Sequence, residues 1–384
     1  MRATAERATA ERPVALIANY EAVTGDMLRL LLRLGDLGKI DLLICDESHR
    51  LKSPGGQRSR HVSQIARRST RRLGLTGTPM PHSPWDIYAQ FRALDPSVFG
   101  TSFARYRSQY LRMGGFEGRE ILGFISPEHE AAHTERFRSL AWVCDNSVLD
   151  LPPVLDLPPI EVELSPTTQR HYDEMERDFV TWATADDESD DPTVPIVAAN
   201  ALVKLLRLQQ ITSGHLPKDA TPGARPSSIG DEKYRALADI LGDIDRQEPV
   251  VVFCRFRHDL DSVASVARVT ERRYGELSGR RRDALDSDGQ MAEGLDLIGV
   301  QIQAGAEGID LTRARYGIYY SLGFSLGDYL QSRARLHRPG QTQTTMFRSI
   351  VARGTVDQRV LRLLGRREDV VSGILADVMR GQDV

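Results

Sequence analysis

The 384-residue sequence contains little cysteine, little lysine and no long apolar run. Its three cysteines, Cys45, Cys144 and Cys254, include no close pair, which argues against a disulfide framework or a zinc site and predicts buried, reduced thiols. No apolar run approaches the roughly 18–20 residues that span a bilayer. The opening residues, MRATAERATAERP, lack the apolar core of a secretory signal. These absences predict a cytoplasmic protein with no membrane segment.

Positive charge comes mainly from arginine, since only five of the 50 basic residues are lysine. The net charge of −3 excludes a uniformly basic nucleic-acid-binding protein. Local arginine clusters are consistent with two interpretations: patches that guide phosphate groups into a cleft, or solvated faces. The clusters contain Arg58, Arg60, Arg67, Arg68, Arg71 and Arg72; Arg272, Arg273, Arg280, Arg281 and Arg282; and Arg333, Arg335 and Arg338.

Alternating apolar runs and amphipathic segments predict an α/β fold with parallel sheets. In the first part we expect strands at 14–20 and 41–45, a third strand that runs into a Gly-Pro loop at 72–79, and helices at 22–38, 56–68 and over most of 84–113. The continuous apolar run of 41–45 is typical of a parallel strand that is covered on both faces.

The middle of the chain differs, because prolines exclude 149–159 from a helix interior. Helices are expected at 173–183 and 198–212, and 217–232 has the composition of a linker. A second α/β unit follows, with strands expected at 249–254, 272–277, 295–302, 315–321 and 345–352.

The stretch IDLLICDESHR ends an apolar strand in two adjacent carboxylates, Asp46 and Glu47. Ligands of open parallel sheets bind beyond the carboxyl ends of the strands. One acid of such a pair can hold Mg²⁺ through water while the other orients and deprotonates an attacking water, as nucleotide hydrolysis requires. The alternative is a helix N-cap, because Asp and Ser are good capping residues.

A second strand end carries LTGTP, in which two threonine hydroxyls, of Thr76 and Thr78, flank Gly77. Such hydroxyls can contact both the acid pair and a neighbouring domain, which suits coupling better than catalysis. A simple tight turn is the alternative.

The stretch QSRARLHRPGQ places Gln331, Arg335 and Arg338 at spacings of four and three, which predicts a shared helix face. Guanidinium groups suit phosphate oxygens, and an arginine from a second domain stabilises a transferring phosphoryl group. The alternative is a structural basic face. In QAGAEGIDLT, Gly305 and Gly308 permit close backbone approach to a ligand.

The order of these motifs resembles helicase motifs II, III, V and VI of superfamily two. DESHRLKS, RLGLTGTPM and HRPGQ are similar to the wording of Swi/Snf-type helicase-like ATPases with a DEAH-type box, and VVVFCRF resembles their motif IV. NYEAV resembles a segment upstream of the DEAH box, so the resemblance covers roughly residues 14–365. It implies two RecA-like lobes that bind ATP and Mg²⁺ between them and move along DNA, usually duplex, without strand separation.

The resemblance also implies roles for individual residues. Glu47 would activate water and Asp46 would hold Mg²⁺. Arg335 and Arg338 would be arginine fingers, with Gln331 beside them. The remaining candidates are Gly305, Gly308 and Asp310 for the cofactor, His49, Thr76, Gly77 and Thr78 for coupling, and Lys52 and Gln303 for the nucleic-acid backbone.

The domain boundaries expected from this resemblance divide the chain into four parts. They are an incomplete first RecA-like lobe at 1–150, a helical, proline-rich insertion and linker at 151–230, a second lobe at 231–365 and a helical tail at 366–384.

One element of the resemblance is missing, because no Gly-x-x-x-x-Gly-Lys-Thr/Ser loop occurs in the sequence. The stretch GDLGKI at 35–40 lacks the hydroxyl residue and precedes a strand, whereas a phosphate loop follows one. We therefore expect impaired ATP binding by this chain alone and exposed core surface in the first lobe. Three explanations are a reading frame that begins late or follows a frameshift, a separate polypeptide that carries the loop, or a degenerate remnant.

Two functional hypotheses follow. The first is an ATP-dependent DNA translocase or helicase-like hydrolase whose phosphate-binding loop is supplied from elsewhere. The second is a catalytically inactive nucleic-acid-binding or scaffold remnant, and the arginine clusters are the observation that suggests it. A dinucleotide or metabolic P-loop enzyme is disfavoured, because neither glycine-rich signature is present.

Overall fold

A computed structural model describes residues 14–77, 79–80, 83–114, 120–144, 149–185, 194–216, 227–304 and 309–366. The chain divides into two compact units, residues 1–145 and 146–384. Both are α/β, as the sequence predicts. Cys45 and Cys254 are buried, as the sequence predicts, whereas Cys144 is exposed.

The first unit combines a short parallel sheet with a helical, aromatic-rich part. Its strands are β1 (Leu42–Cys45), β2 (Arg71–Gly74), β3 (Leu111–Gly114) and β4 (Glu120–Phe124). Its helices are α1 (Gly25–Asp36), α2 (Gln57–Ala66), α3 (Ile87–Leu94), α4 (Pro96–Phe99), α5 (Phe103–Tyr110) and α6 (Pro127–Arg138). Strands β1 and β2 pair in parallel, and β3 and β4 form an antiparallel hairpin.

Aromatic side chains from α3 to α6 form the main core of the first unit. Tyr106 is buried among them, and its hydroxyl lies 2.7 Å from Nε2 of buried His133. Desolvation lowers the pKa of His133 to about 4, so the ring is neutral at physiological pH. A smaller cluster around Cys45, Leu51 and Val62 packs on one face of the β1–β2 sheet.

The opposite face of the β1–β2 sheet is apolar and exposed. Leu42 and Ile44 of β1 are 51% and 52% exposed, and Leu73 and Leu75 are each 44% exposed. The register pairs Ile44 with Leu73, so these side chains lie on the same face. The predicted coverage of 41–45 on both faces is therefore wrong for the described residues, whereas the predicted exposure of core surface in the first lobe is confirmed.

The strand predicted at 14–20 is also wrong. Residues 14–19 have no regular structure and Tyr20–Ala22 form a 3₁₀ turn. A strand needs a neighbouring backbone to bond with, and no described strand pairs with this segment. Ile17 is consequently 93% exposed.

The second unit is built on one parallel sheet. Its strands are β5 (Val154–Asp156), β6 (Ile160–Val162), β9 (Val250–Cys254), β10 (Tyr274–Leu277), β11 (Leu297–Gln301), β12 (Tyr316–Tyr319) and β13 (Thr345–Ala352). The order is β10-β11-β9-β12-β13-β5, and β6 also pairs with β13. A separate antiparallel pair consists of β7 (His215–Leu216) and β8 (Ser227–Ser228).

All five strands predicted for the second α/β unit are present, and the proline-rich stretch before it contributes β5 and β6 to the sheet edge. The helices are α7 (Pro166–Ala185), α8 (Val194–Thr212), α9 (Glu232–Asp243), α10 (Arg257–Val269), α11 (Leu326–Arg333) and α12 (Val356–Gly365).

Helices cover both faces of the central strands, so every residue of β9 is buried. Val251 and Phe253 belong to a core with residues of α8 and α12, whereas Val250 and Val252 belong to a second core with residues of α9 and α10. Alternate side chains of one strand thus enter two cores, as the continuous apolar run predicts.

Candidate nucleotide site

The two acids lie in a tight turn at the carboxyl end of β1. Glu47 has a left-handed backbone (φ 48°, ψ 51°), which a non-glycine residue rarely adopts. The amide of Glu47 donates to Oδ1 of Asp46 (3.0 Å), and the Asp46 side chain is exposed. A 3₁₀ helix, Ser48–Leu51, follows with no side-chain cap, so the structure does not support the N-cap alternative.

The loop after β2 meets this turn, as the sequence predicts for neighbouring strand ends. Nδ1 of His49 lies 3.0 Å from Oγ1 of Thr76 and 3.1 Å from Oε2 of Glu47. The Ser48 amide donates to the carbonyl of Leu75 (2.9 Å). Three candidate side chains from two strand ends therefore converge, and that of Glu47 is 22% exposed, which leaves it accessible to water.

A segment upstream of β1 holds the same turn. The hydroxyl of Tyr20 donates to the backbone oxygen of Asp46 (2.7 Å), and the guanidinium of Arg58 lies 5.9 Å from the centroid of the Tyr20 ring. Burial raises the pKa of the Cys45 thiol to about 11, and burial likewise raises the pKa of Tyr20. Both groups keep their protons at neutral pH, so Tyr20 remains a donor to the turn.

Sequence reasoning missed Ser48 and Gln90 as parts of this site. The hydroxyl of Ser48 donates to Oε1 of Gln90 (2.9 Å) in the interior of the unit. The available signal was that Gln90 is polar in the otherwise apolar run IYAQF of α3.

Magnesium binding would depend on few protein groups here. Among the described residues, no three His, Cys, Asp or Glu side chains are grouped as a metal site. Protein sites for Mg²⁺ commonly use one or two carboxylates, with water and substrate phosphates as the other ligands. The exposed Asp46 carboxylate at the strand end fits that requirement.

The predicted helix face of Gln331, Arg335 and Arg338 is not formed as such. Helix α11 ends at Arg333, and residues 334–338 continue as tight turns, with the Arg335 amide donating to the Ser332 carbonyl. Pro339 disfavours helical conformation at Arg338, the residue before it, but not at Arg333, where the helix ends.

Arg335 and Arg338 are both half-buried and linked to the segment that follows residues 305–308. The Arg338 guanidinium donates to the carbonyl of Ile309 (3.1 Å), and the Leu311 amide donates to the carbonyl of Arg335 (3.1 Å). The two candidate motifs of the second unit are therefore neighbours, although they are far apart in the sequence.

Within the described part of the chain, the other candidate residues show no contact that indicates a ligand-binding role. Oδ1 of Asp310 accepts from the amide and hydroxyl of Thr312 (2.9 and 2.7 Å), so this carboxylate holds a local turn. Gln303 is exposed in a short 3₁₀ helix, and Lys52 is half-buried after the 48–51 turn. Gly77, which directly follows Thr76, is exposed. Three candidates lie outside the described residues: Thr78, Gly305 and Gly308.

The arginine cluster at 272–282 is largely engaged by protein groups. Arg272 donates to backbone carbonyls at the end of α9, and Arg273 pairs with Asp296 (2.8 Å). Arg280 pairs with the buried carboxylate of Glu276 (2.8 Å). Arg281 pairs with Asp283 (2.6 Å). Four of the five arginines of this cluster thus have protein partners, which favours a structural role for the cluster over a phosphate-guiding one.

Arg333 of the third cluster is also structural. It donates to both carboxylate oxygens of Asp156, and its guanidinium lies 4.1 Å from the centroid of the Phe347 ring. It therefore fastens α11 to β5 and β13.

Comparison with known proteins gives two family matches. The SNF2-related domain matches residues 4–150, and the helicase conserved C-terminal domain matches residues 232–340. No described helix is long and apolar enough to cross a membrane.

Two curated relatives illustrate the similarity. Protein p41 of Acyrthosiphon pisum secondary endosymbiont phage 1 is 30% identical over 240 residues, 59% of this chain and 49% of that protein. The DNA annealing helicase and endonuclease ZRANB3 of Bos taurus is 23% identical over 350 residues, 87% of this chain and 30% of that protein. The chain spans about half or less of the length of these relatives.

Among solved structures, the Sulfolobus solfataricus SWI2/SNF2 ATPase core in complex with dsDNA aligns with 92% of this chain and 74% of that chain. The identity is 20% and the TM-score is 0.44.

Proposed function

We propose, on the premise that this chain belongs to the Snf2-type helicase-like proteins of superfamily two, that it forms the motor part of an ATP-dependent DNA translocase. The convergence of Glu47, His49 and Thr76 at adjacent strand ends is the observation that carries the proposal. A carboxylate that is partly exposed and oriented by a histidine can activate water. The relative ZRANB3 is described as a DNA annealing helicase, which supports DNA as the track.

The proposed roles follow from position and chemistry. Glu47 orients and deprotonates the attacking water, and Asp46 would hold Mg²⁺ through water, where the ion would offset the charge of the phosphates. Arg335 and Arg338, with Gln331 beside them, stabilise the charge of the transferring phosphoryl group. The other proposed roles are coupling for His49, Thr76, Gly77 and Thr78, cofactor binding for Gly305, Gly308 and Asp310, and nucleic-acid contacts for Lys52 and Gln303.

The phosphate-binding loop is proposed to come from a segment or polypeptide outside these 384 residues, since no such loop occurs in them. The exposed face of Leu42, Ile44, Leu73 and Leu75 supports this proposal. Parallel sheets are normally covered on both faces by helices, and a phosphate-binding loop follows a strand and opens a helix, so that helix would cover this face. The added parallel strand would place the loop at the same edge as the acid pair.

Measurement of ATP hydrolysis with Glu47→Gln tests the proposal. We expect DNA-stimulated turnover when the chain is produced with a segment that carries a phosphate-binding loop and is encoded upstream of Met1. Glu47→Gln should lower kcat by about 100-fold or more while nucleotide binding persists, because only water activation is lost. Glu271→Gln, at an exposed helix end, is the matched control and should retain turnover.

Two outcomes would contradict the proposal. Turnover that survives in Glu47→Gln would refute the role of Glu47. Salt-sensitive DNA binding without nucleotide binding, even with the added segment, would favour the inactive nucleic-acid-binding alternative, which the missing loop supports.

A further inference from the structure

Gln90 is an unusual residue for the interior of the first unit. It is 3% exposed on α3, where Ile87, Tyr88 and Phe91 are buried as well. A buried amide is costly unless its hydrogen bonds are made. Here they are made: Oε1 accepts from the Ser48 hydroxyl (2.9 Å), and Nε2 donates to the carbonyls of Pro79 (2.7 Å) and Asp86 (3.1 Å).

Two of these partners belong to the two loops of the candidate site. Ser48 directly follows Glu47, and Pro79 lies in the loop that begins with Thr76. The amide of Gln90 therefore joins the acid-pair turn to the Thr-Gly-Thr-Pro loop from the buried side. On the more exposed side, the same loops meet through His49 and Thr76.

The left-handed backbone of Glu47 explains why such a link is needed. A non-glycine residue in this conformation is strained, and the strain persists only when neighbouring contacts fix it. Ser48 supplies two such contacts, since its amide donates to Leu75 and its hydroxyl donates to Gln90. Without Gln90, the hydroxyl of Ser48 and the carbonyl of Pro79 would be left without their partner.

We propose that Gln90, acting through Ser48, is a positioning residue that fixes the Glu47 turn against the Thr76 loop. The inference rests on the proposed function, in which Glu47 activates water. Gln90 is too deeply buried to touch a substrate, so it acts only through the two loops. Its loss should therefore misplace Glu47 without weakening nucleotide binding.

The first experiment does not require ATP turnover. Hydrogen exchange of the full chain is measured for the wild type and for Gln90→Met, which keeps similar volume but removes the amide. We expect the amides of residues 47–50 to exchange about tenfold faster or more, with no comparable change in α5 and α6. Gln209→Met is the matched control, because Gln209 is a buried glutamine of the second unit that donates to the Leu322 carbonyl (3.0 Å).

The second arm uses the chain with its phosphate-loop segment. Gln90→Met should lower kcat by about 10- to 100-fold and leave the KM for ATP unchanged, since misplacement of a catalytic group affects the chemical step. Ser48→Ala should do the same, and the double variant should be no worse than Gln90→Met. Ser48→Thr, which keeps the hydroxyl, should restore kcat.

The outcomes are distinguishable. If the wild type shows no turnover, the proposed function fails, and the exchange arm still tests the link. If Gln90→Met does not fold, Ser48→Ala provides both readouts. Unchanged exchange at residues 47–50, exchange that rises equally throughout the unit, or an unchanged kcat in an active protein would overturn the proposal.

Discussion

At the scale of single residues, the backbone of Glu47 is strained at the site of the proposed chemistry. Only Glu47 and Glu271 among the described non-glycine residues have positive φ, at 48° and 53°. Glu271 lies just beyond the end of α10, a position where left-handed residues commonly end helices. Glu47 lies in no such position, so the surrounding hydrogen bonds must hold its conformation.

Replacing each of these glutamates by glycine separates stability from function. Glycine adopts positive φ without a Cβ penalty, so Glu47→Gly and Glu271→Gly should each raise the free energy of unfolding by about 1 kcal/mol. Urea unfolding measures that change. ATP turnover with the phosphate-loop segment should be lost in Glu47→Gly alone. A loss of stability in Glu47→Gly would show that the Glu47 side chain stabilises the turn more than its backbone strains it.

At the scale of elements, the end of α9 shows how one arginine can replace a cap. Nη2 of Arg272 donates to the carbonyls of Leu241, Ile244 and Asp245, and Nη1 donates to that of Glu248. The last carbonyls of a helix have no partner within it. Burial lowers the pKa of Arg272, but the surrounding carbonyls compensate the charge.

Arg272→Met and Arg273→Met form a matched pair of neighbours. Arg272→Met should lower the free energy of unfolding by about 3 kcal/mol, because buried carbonyls lose charged donors. Arg273→Met should have little effect, because the Arg273–Asp296 pair is formed by an exposed guanidinium. Urea unfolding of both variants checks the prediction, and equal losses would contradict the capping role of Arg272.

At the scale of the whole molecule, the two units differ in how completely their sheets are covered. Strand β9 is buried along its whole length, with parallel neighbours on both sides. Strand β1 has one described neighbour and an exposed apolar face. Local opening should therefore cost far less free energy in β1 than in β9.

Hydrogen exchange of the full chain should show this difference directly. Amides of β9 and β11 should exchange only through unfolding of the second unit, and those of β1 and β2 about 100-fold faster or more. The phosphate-loop segment should slow exchange in β1 and β2 and leave β9 unchanged. Equal protection of β1 and β9 in the chain alone would contradict the interpretation of the exposed face.

The sequence alone was sufficient for five of the seven strands of the second unit's sheet and for placing the acid pair at a strand end. A continuous apolar run such as VVVFC marks a strand, and a polar pair after such a run marks the end of the strand. These signals are local, so they can be read without knowledge of neighbours. The meeting of Glu47, His49 and Thr76 was also foreseeable, because parallel strands end at the same edge.

Tertiary structure alone decided which apolar runs form strands and which polar side chains are bonded in the interior. The apolar run at 14–20 forms no strand because no described strand pairs with it. Gln90 accepts a hydrogen bond from Ser48, which lies 42 residues away in the sequence. Arg272 and Arg273 are neighbours in the sequence, but Arg272 bonds to buried carbonyls and Arg273 pairs with Asp296 at the surface. Hydrogen bonds between distant residues depend on packing, and a sequence pattern describes only neighbours along the chain.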